Sequence, residues 1–458
     1  MTNALSTREK ILFSLLLFSS TFLIYRIEIG SSIHLNPYRI LLYTFFILYG
    51  IPYALNHMKK DLPLMILSVL CCLKIGTLFY SPDFGYGVKQ MFRFLESVMV
   101  YIVLVSITSK SIQNSRAALN ALFWGFAVVI LAGLYQQAFL SFYDVKKFLP
   151  LTEHMHLGFD EVTMAYPFGM DDRLLSTFQE PNWYGSYLAL GLCLLGSAVL
   201  FRKLTFFTRM GFCVTALAAS INLLCTLSRS SFLALLFGGL TGLVLVFPRI
   251  LQVRKFPRYA FRLAPMVALP ILLVLVSNSI GLDIFGAGTK IIEILKSRNQ
   301  DVKIEPFTQE PSIENLNTMT GGRFTISLSV FQNLSLKTFL LGVGEGGGET
   351  AMHNAIFLTL QENGIIVLFL LLFFLGGIFL QAFGLYRTTL TEPFSELHYI
   401  GFGAMCYMSA LCVIFFGYGT QIFTNFPWIG LGLISGTSHR LSQLVLAQAT
   451  LSKNPIRT

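Results

Sequence analysis

The stretch from His353 to Leu385, HNAIFLTLQENGIIVLFLLLFFLGGIFLQAFGL, decides how this chain folds. An unbroken helix of that length would be too long for one crossing of a hydrocarbon core that is roughly 30 Å thick. Glu362-Asn363-Gly364 interrupts the run, so we expect an interfacial helix over Asn354 to Gln361 and a membrane span that starts at the break. This arrangement would hold His353 close to the membrane surface.

The rest of the chain has the same apolar character. Its 458 residues are 54% hydrophobic and only 12% charged, with a mean hydropathy of +0.66, which an ordinary water-soluble surface does not allow. We predict an all-α polytopic membrane protein with about 12 transmembrane helices, the last of them weak because of its glycines and Pro427. The segments lie at 11–29, 38–56, 62–80, 91–108, 117–140, 182–201, 210–227, 231–248, 263–281, 364–384, 398–416 and 420–436.

The distribution of Lys and Arg predicts the orientation. With the N-terminus in the cytoplasm, the cytoplasmic loops and tails hold 18 basic residues and only four acids. The basic pI therefore indicates topology and contact with anionic membrane lipids, and we expect no nucleic-acid partner. The first apolar run lacks a small-residue cleavage site and is read as a retained helix. All seven cysteines fall within predicted spans, with neither a disulfide framework nor a zinc spacing.

The spans and loops divide the chain into six parts. We predict helices 1–5 in residues 1–140, an extracytoplasmic loop at 141–181, helices 6–9 in 182–281, a large extracytoplasmic loop at 282–353, the C-terminal transmembrane helices in 354–436 and a cytoplasmic tail at 437–458. A short helix is expected within the large loop, around Lys290 to Arg298. Such loops either sit above the bilayer or line a cavity, because backbone at membrane depth must be hydrogen-bonded internally.

Several Lys and Arg residues fall on the predicted extracytoplasmic side, against the general preference of basic residues for the cytoplasmic side. Lys74 lies within a span, and Arg229 sits in the hairpin Ser228-Arg229-Ser230-Ser231, which is too tight to be a solvent loop. Each cation alone fits snorkelling, or an ion pair such as Lys74 or Arg93 with Glu96. Together they fit an anion held at the outer interface. The planar guanidinium group of arginine can bind two oxygens at once, which suits a diphosphate. The full set is Arg26, Arg39, Lys74, Arg93, Arg173, Arg229 and Arg323.

His353 is the candidate base. A lone histidine before an apolar helix fits a surface or capping residue, but Arg323 upstream, a glycine-rich turn from Gly342 to Gly348 and Asn354 beside it favour a reactive site. An imidazole with an ordinary pKa near 6.5 can take a proton from an attacking hydroxyl. The GxGxxG pattern at 342–347 has no βαβ context, and the acidic and histidine residues at 154–161 fix no ligand spacing, so we expect no cofactor and no metal.

Four segments of the chain carry a family resemblance. They are Arg173-Leu-Leu-Ser-Thr-Phe-Gln-Glu180-Pro-Asn182, Thr226-Leu-Ser-Arg229-Ser, Gly322-Arg323, and Leu341-Gly-Val-Gly344 followed by His353-Asn354 and Glu362-Asn-Gly364. With these four segments in this order along the sequence, the chain resembles the O-antigen ligase and O-antigen polymerase family of bacterial envelope glycosyltransferases. The likeness covers about residues 170 to 385.

The resemblance implies a GT-C-like helical membrane glycosyltransferase whose donor is a glycan on undecaprenyl diphosphate. It assigns Arg229 and Arg323 to the diphosphate and His353 to activation of the acceptor hydroxyl, with direct attack inverting the anomeric carbon. The further substrate-binding candidates are Arg173, Glu180, Asn182, Asn354, Lys74 and Arg93. Ligation to lipid A core and polymerisation of a growing glycan stay open.

The implied location is the bacterial inner membrane, with the site on the periplasmic side and a role in lipopolysaccharide or exopolysaccharide assembly. A transporter or flippase of the same lipid-linked oligosaccharide is the alternative, and it predicts polar residues throughout the span interiors and an internal repeat. The polar groups instead crowd at one face of the predicted bundle. A structural or sensory membrane protein is a third possibility.

Overall fold

The computed structural model describes residues 5–20, 25–29, 33–35, 37–139, 155–157, 181–226, 228–250, 335–345, 347, 354–391, 394–417 and 424–453. Helices dominate this part of the chain, as expected of a helical membrane protein. The predicted span at 263–281, the short helix near Lys290 and most of both large loops lie outside the described residues.

The first apolar run is shorter as a helix than predicted. Helix α1 (Thr7–Ser19) starts at a capping box formed by Ser6 and Glu9 and covers only 13 residues. Strand β1 (Tyr25–Ile29) then occupies the end of the predicted span, because charged and apolar residues alternate there with the two-residue period of a strand. It pairs antiparallel with β2 (Ile33–Leu35) and β3 (Met155–Leu157), in the order β2-β1-β3.

The remaining elements follow the predicted spans closely. Helix α2 (Pro37–Phe45), a π turn (Phe46–Gly50) and α3 (Ile51–His57) form one continuous segment. After them come α4 (Leu62–Leu78), α5 (Phe84–Thr108), α6 (Ile112–Phe139), α7 (Pro181–Phe201), α8 (Phe206–Thr226), α9 (Arg229–Ile250), α10 (Leu336–Leu341), α11 (Ala355–Thr389), α12 (His398–Gly417) and α13 (Asn425–Lys453).

Eight helical segments within the described residues are long and apolar enough to cross a membrane: 37–57, 84–108, 112–135, 182–201, 206–223, 230–247, 355–389 and 395–416. Helix α4 is apolar but shorter. Helix α13 continues to Lys453, beyond the predicted span and into the predicted tail, with Pro427 in its first turn, where a missing N–H costs no helical hydrogen bond. A total of 12 spans stays a prediction.

The helices pack around an aromatic centre. The Tyr101 ring of α5 lies 5.2 Å from Phe374 of α11 and 6.4 Å from Trp428 of α13, edge to face in both cases. Helix α12 packs against α7, α9 and α11. Apolar side chains on the outer faces of α2, α9 and α11 stay exposed, as lipid-facing residues do.

Short connections join many consecutive helices, so these helices run antiparallel and their connections alternate between two ends of the bundle. Residues 79–83, Ser228 and the first turns of α7, α11 and α13 lie at one end, which we call the motif end. Residues 58–61, 109–111, 202–205, 390–391 and 394–397 lie at the opposite end. The sequence predicts that the motif end is extracytoplasmic.

Candidate functional site

A glycine strap, residues 342–345 and 347, connects α10 with the approach to α11 at the motif end. Gly342 and Gly344 have φ angles of +78° and +100°, which favour glycine strongly. A Cβ atom on Gly342 would lie 2.2 Å from the carbonyl oxygen of Glu362, and one on Gly344 would lie 2.6 Å from the Cα of Ser81. The strap can therefore approach its neighbours closely only with glycine at these positions.

The strap pairs with the predicted break in α11. Gly364 has φ 79° and ψ 176°, a conformation almost restricted to glycine, and it interrupts the helix at this point. The carbonyl oxygens of Gln361 and Glu362 accept hydrogen bonds from the backbone N–H groups of Val343 at 2.8 Å and Gly344 at 2.9 Å. The break predicted from the sequence is confirmed, and the strap supplies donors to carbonyls beside it.

The strap also docks on the turn between α4 and α5. Ser81 Oγ donates to the carbonyl oxygen of Glu345 at 2.7 Å, and the Tyr80 hydroxyl donates to the carbonyl oxygen of Leu341. One turn earlier, Thr77 Oγ1 lies 3.0 Å from Asn363 Oδ1 at the α11 break.

A buried ion pair fixes the centre of the strap. Lys74 Nζ lies 2.7 Å from Glu345 Oε2, and the two side chains are only 3% and 0% exposed. The ammonium also lies 5.1 Å from the centre of the Phe94 ring, within cation–π range. Charges so far from water are retained in proteins when they are paired. The pair therefore ties the strap to α4 across 271 residues of sequence.

Sequence reasoning missed Glu345, because the GxGxxG pattern that contains it lacks a βαβ context and only the glycines of this turn support the predicted site. The available signal was an acid within a glycine-rich turn that leads to a membrane helix, with a lysine inside another span. The pairing suggested for Glu96 also differs. Its carboxylate receives a bidentate contact from Arg39, at 2.7 Å and 3.1 Å, and a hydrogen bond from Tyr43 at 2.7 Å.

The Arg229 hairpin packs directly on the start of α7. Arg229 is the first residue of α9, and the preceding Ser228 shares a 2.7 Å hydroxyl contact with Ser231. Ser231 also lies 3.5 Å from Ser186 of α7, and a Cβ atom on Gly185 would lie 2.7 Å from the Ser231 hydroxyl. This close approach brings the segment around Arg229 beside the first turn of α7.

Helix α13 connects this hairpin region with the strap region. The Tyr187 ring of α7 lies 5.9 Å from Phe426, edge to face. The neighbouring Asn425 accepts a 3.1 Å hydrogen bond from Ser97 of α5, and α5 also carries Phe94 beside Lys74. The motif end is thus a continuous set of packed helix ends.

Four of the nine site residues named from the sequence are described with their side chains: Lys74, Arg93, Asn182 and Asn354. Asn354 caps α11, because its Oδ1 accepts hydrogen bonds from the N–H groups of Ile356 and Phe357. Arg93, in the third turn of α5, and Asn182, in the first turn of α7, are half-buried. Only the backbone of Arg229 is described, and His353, Arg323, Arg173 and Glu180 lie outside the described residues.

Among the residues that the structure describes, no group of three or more His, Cys, Asp and Glu side chains could hold a metal ion. No protein-family model matches the chain, and no curated protein matches it either.

Proposed function

We propose that this protein is a membrane glycosyltransferase that moves a glycan from undecaprenyl diphosphate to an acceptor hydroxyl during surface polysaccharide assembly. The observation that supports the proposal is the position of the motif segments. The starts of α7, α9 and α11 and the glycine strap come from distant parts of the sequence, yet all lie at the motif end. Packing through α13 and α5 connects them.

The proposed reaction needs a base and fixed positive charge. The acceptor oxygen attacks the anomeric carbon, its proton passes to the His353 imidazole, and the bond to the diphosphate oxygen breaks with inversion. The departing diphosphate carries the developing charge, which Arg229 and Arg323 would stabilise. Arg229 opens α9, so the partial positive charge of that helix N-terminus adds to its own.

The strap has a positioning role in this proposal. Asn354 caps α11 and His353 immediately precedes it, so whatever fixes the start of α11 restricts where the imidazole can lie. The backbone bonds to Gln361 and Glu362 and the ion pair of Lys74 with Glu345 supply that restraint. We accordingly assign Lys74 to holding the strap. The residues that we propose to contact the lipid-linked glycan donor are Arg93, Arg173, Glu180 and Asn182.

Reconstitution tests the proposal directly. Purified protein in liposomes is given lipid-linked oligosaccharide with and without lipid A core, and glycan products are separated on a gel. We expect a new glycosidic product, and its acceptor distinguishes a ligase from a polymerase. His353→Ala should abolish the product while donor binding persists. The matched control is His57→Ala, because His57 lies at the opposite end, stacked on Tyr53.

A conservative substitution tests the diphosphate clamp. Arg323→Lys keeps the charge but loses the planar fork, so turnover should fall by at least about tenfold, as expected for loss of a bidentate contact. Wild-type turnover in that variant would argue against the clamp. Movement of the lipid-linked glycan across the liposome bilayer without any new glycosidic bond would instead assign a flippase.

A further inference from the structure

A cavity of about 520 Å³ opens at the opposite end of the bundle from the motif end. It lies between the last turns of α11 and the later turns of α13. Gly384, Arg387 and Thr388 line it from α11, and Val445 and Gln448 line it from α13. Its volume falls in the range of sites that hold small molecules and headgroups.

The lining combines one cation with neutral polar groups. Arg387 is exposed, and its guanidinium lies 5.8 Å from the centre of the Phe383 ring. No ion-pair partner for Arg387 occurs among the described residues. Thr388 and Gln448 add a hydroxyl and an amide, which can donate to the oxygens of a phosphate. The polar part of the cavity is suited to an anion.

Exposed apolar surface continues from the cavity along α11, and α13 adds two exposed apolar side chains beside it. Leu380 on α11 is 69% exposed and Leu446 on α13 is 68% exposed, and Phe383 and Val445 are also exposed. Helix α11 is a 35-residue apolar helix, and Arg387 stands in its last turn, where a membrane helix meets the lipid headgroups. A molecule that fills this place has an anionic head and hydrocarbon chains.

We propose that the cavity binds the headgroup of an anionic phospholipid, with its acyl chains lying along the exposed apolar face of α11. Basic pockets between membrane helices are suited to such headgroups, and the sequence predicts that this end faces the cytoplasm and carries most of the positive charge. Snorkelling of Arg387 accounts for the position of the guanidinium but does not require a cavity beside it. The assignment is independent of the glycosyltransferase proposal.

Native mass spectrometry of the full chain can test the site. The protein is released from micelles that contain equal amounts of phosphatidylglycerol and phosphatidylcholine with the same acyl chains. Wild-type protein should retain one phosphatidylglycerol in preference to phosphatidylcholine. Arg387→Gln should lower that preference about fivefold, which corresponds to one basic residue near a lipid surface. Lys59→Gln removes an exposed cation at the same end away from the cavity and should leave the preference unchanged.

A second pair of variants tests the space and leaves the charges intact. A Cβ atom on Gly384 meets nothing within 4 Å, so Gly384→Phe places a ring at the cavity without a backbone clash and should displace the lipid. Gly376 on the same helix is equally open but does not line the cavity, which makes Gly376→Phe the matched control. Size-exclusion profiles establish that each variant is folded.

Three outcomes of these experiments would overturn the lipid site. Equal retention of the two lipids by wild-type protein would overturn the proposal, as would an unchanged preference in Arg387→Gln or Gly384→Phe. A loss of equal size in Lys59→Gln would show that the preference comes from the general charge of this end, and it would overturn the site as well.

Discussion

Two ion pairs at opposite ends of the bundle have the same length and very different surroundings. Lys74 and Glu345 meet at 2.7 Å with side chains that are 3% and 0% exposed. Lys203 and Glu396 also meet at 2.7 Å, but their side chains are 82% and 56% exposed. Water screens the exposed pair and can replace either partner, whereas neither partner of the buried pair can find water. The distance between two charges therefore says little about their structural consequence.

The buried pair holds the glycine strap against α4. Around it, the strap donates backbone hydrogen bonds beside the α11 break and receives side-chain hydrogen bonds from the α4–α5 turn. The exposed pair joins the connection between α7 and α8 to the connection before α12, and Arg116 lies 3.7 Å from the same carboxylate. Backbone hydrogen bonds and a buried ion pair therefore fix the strap at the motif end, whereas the ion pairs of Glu396 at the opposite end are exposed to water.

The largest effect should come from removing one partner of the buried pair. Glu345→Gln takes away the carboxylate that contacts the Lys74 ammonium and should destabilise the protein by about 3–5 kcal/mol, as breaking a buried pair does. Unfolding in detergent, followed by loss of the size-exclusion peak on heating, measures this. Glu396→Gln is the matched control and should leave the unfolding temperature almost unchanged, because water solvates both partners of that exposed pair. Equal losses would abolish the distinction between the ends.

The next effect contrasts two glycines of one helix. Gly364→Ala forces a side chain into a conformation that costs about 1–3 kcal/mol, and its Cβ would lie 2.3 Å from the carbonyl oxygen of Leu340. Gly376→Ala meets open space in regular helix and should stabilise by about 0.5–1 kcal/mol. The same heating assay reports both. A shift of the same sign in the two variants would contradict the role of the break.

The sequence predicted the helical class, the positions of most described helices and the break in α11, because apolar run length and a polar tripeptide are local signals. It did not predict that Glu345 would meet Lys74, since a contact across 271 residues depends on how helices pack. It also overestimated the first span, where the alternation of Tyr25, Ile27 and Ile29 with charged residues favours a strand. The predicted roles of His353 and Arg323 stay predictions.

A double substitution shows whether the strap needs charge or only filled volume. In Lys74→Met with Glu345→Met no unpaired ion remains, so stability should return to within about 1 kcal/mol of wild type, as for other buried pairs replaced by apolar residues. Thermal unfolding of both single variants and the double variant completes the cycle. A double variant that is as unstable as Glu345→Gln would mean that apolar side chains cannot occupy this pocket and that the strap needs the charges themselves.

The smallest effect concerns a third acid, Glu9, at the opposite end. A hydrogen bond from the Tyr49 hydroxyl, with further hydrogen bonds from Ser6, lowers the pKa of Glu9 from its ordinary value of 4.5 to about 2. A depressed folded-state pKa stabilises the protein above pH 4.5, and this contribution is lost as the pH falls towards 2.

Tyr49→Phe should bring the pKa of Glu9 closer to 4.5, so wild-type protein should lose more stability between pH 7 and pH 3 than the variant does. Because Glu9 is close to solvent, the difference in unfolding temperature should be small, and it should vanish when Glu9→Gln is present in both proteins. An equal pH response of wild type and Tyr49→Phe would mean that the exposed end responds to acid through other groups, and the contrast between the two ends would then rest on ion pairs alone.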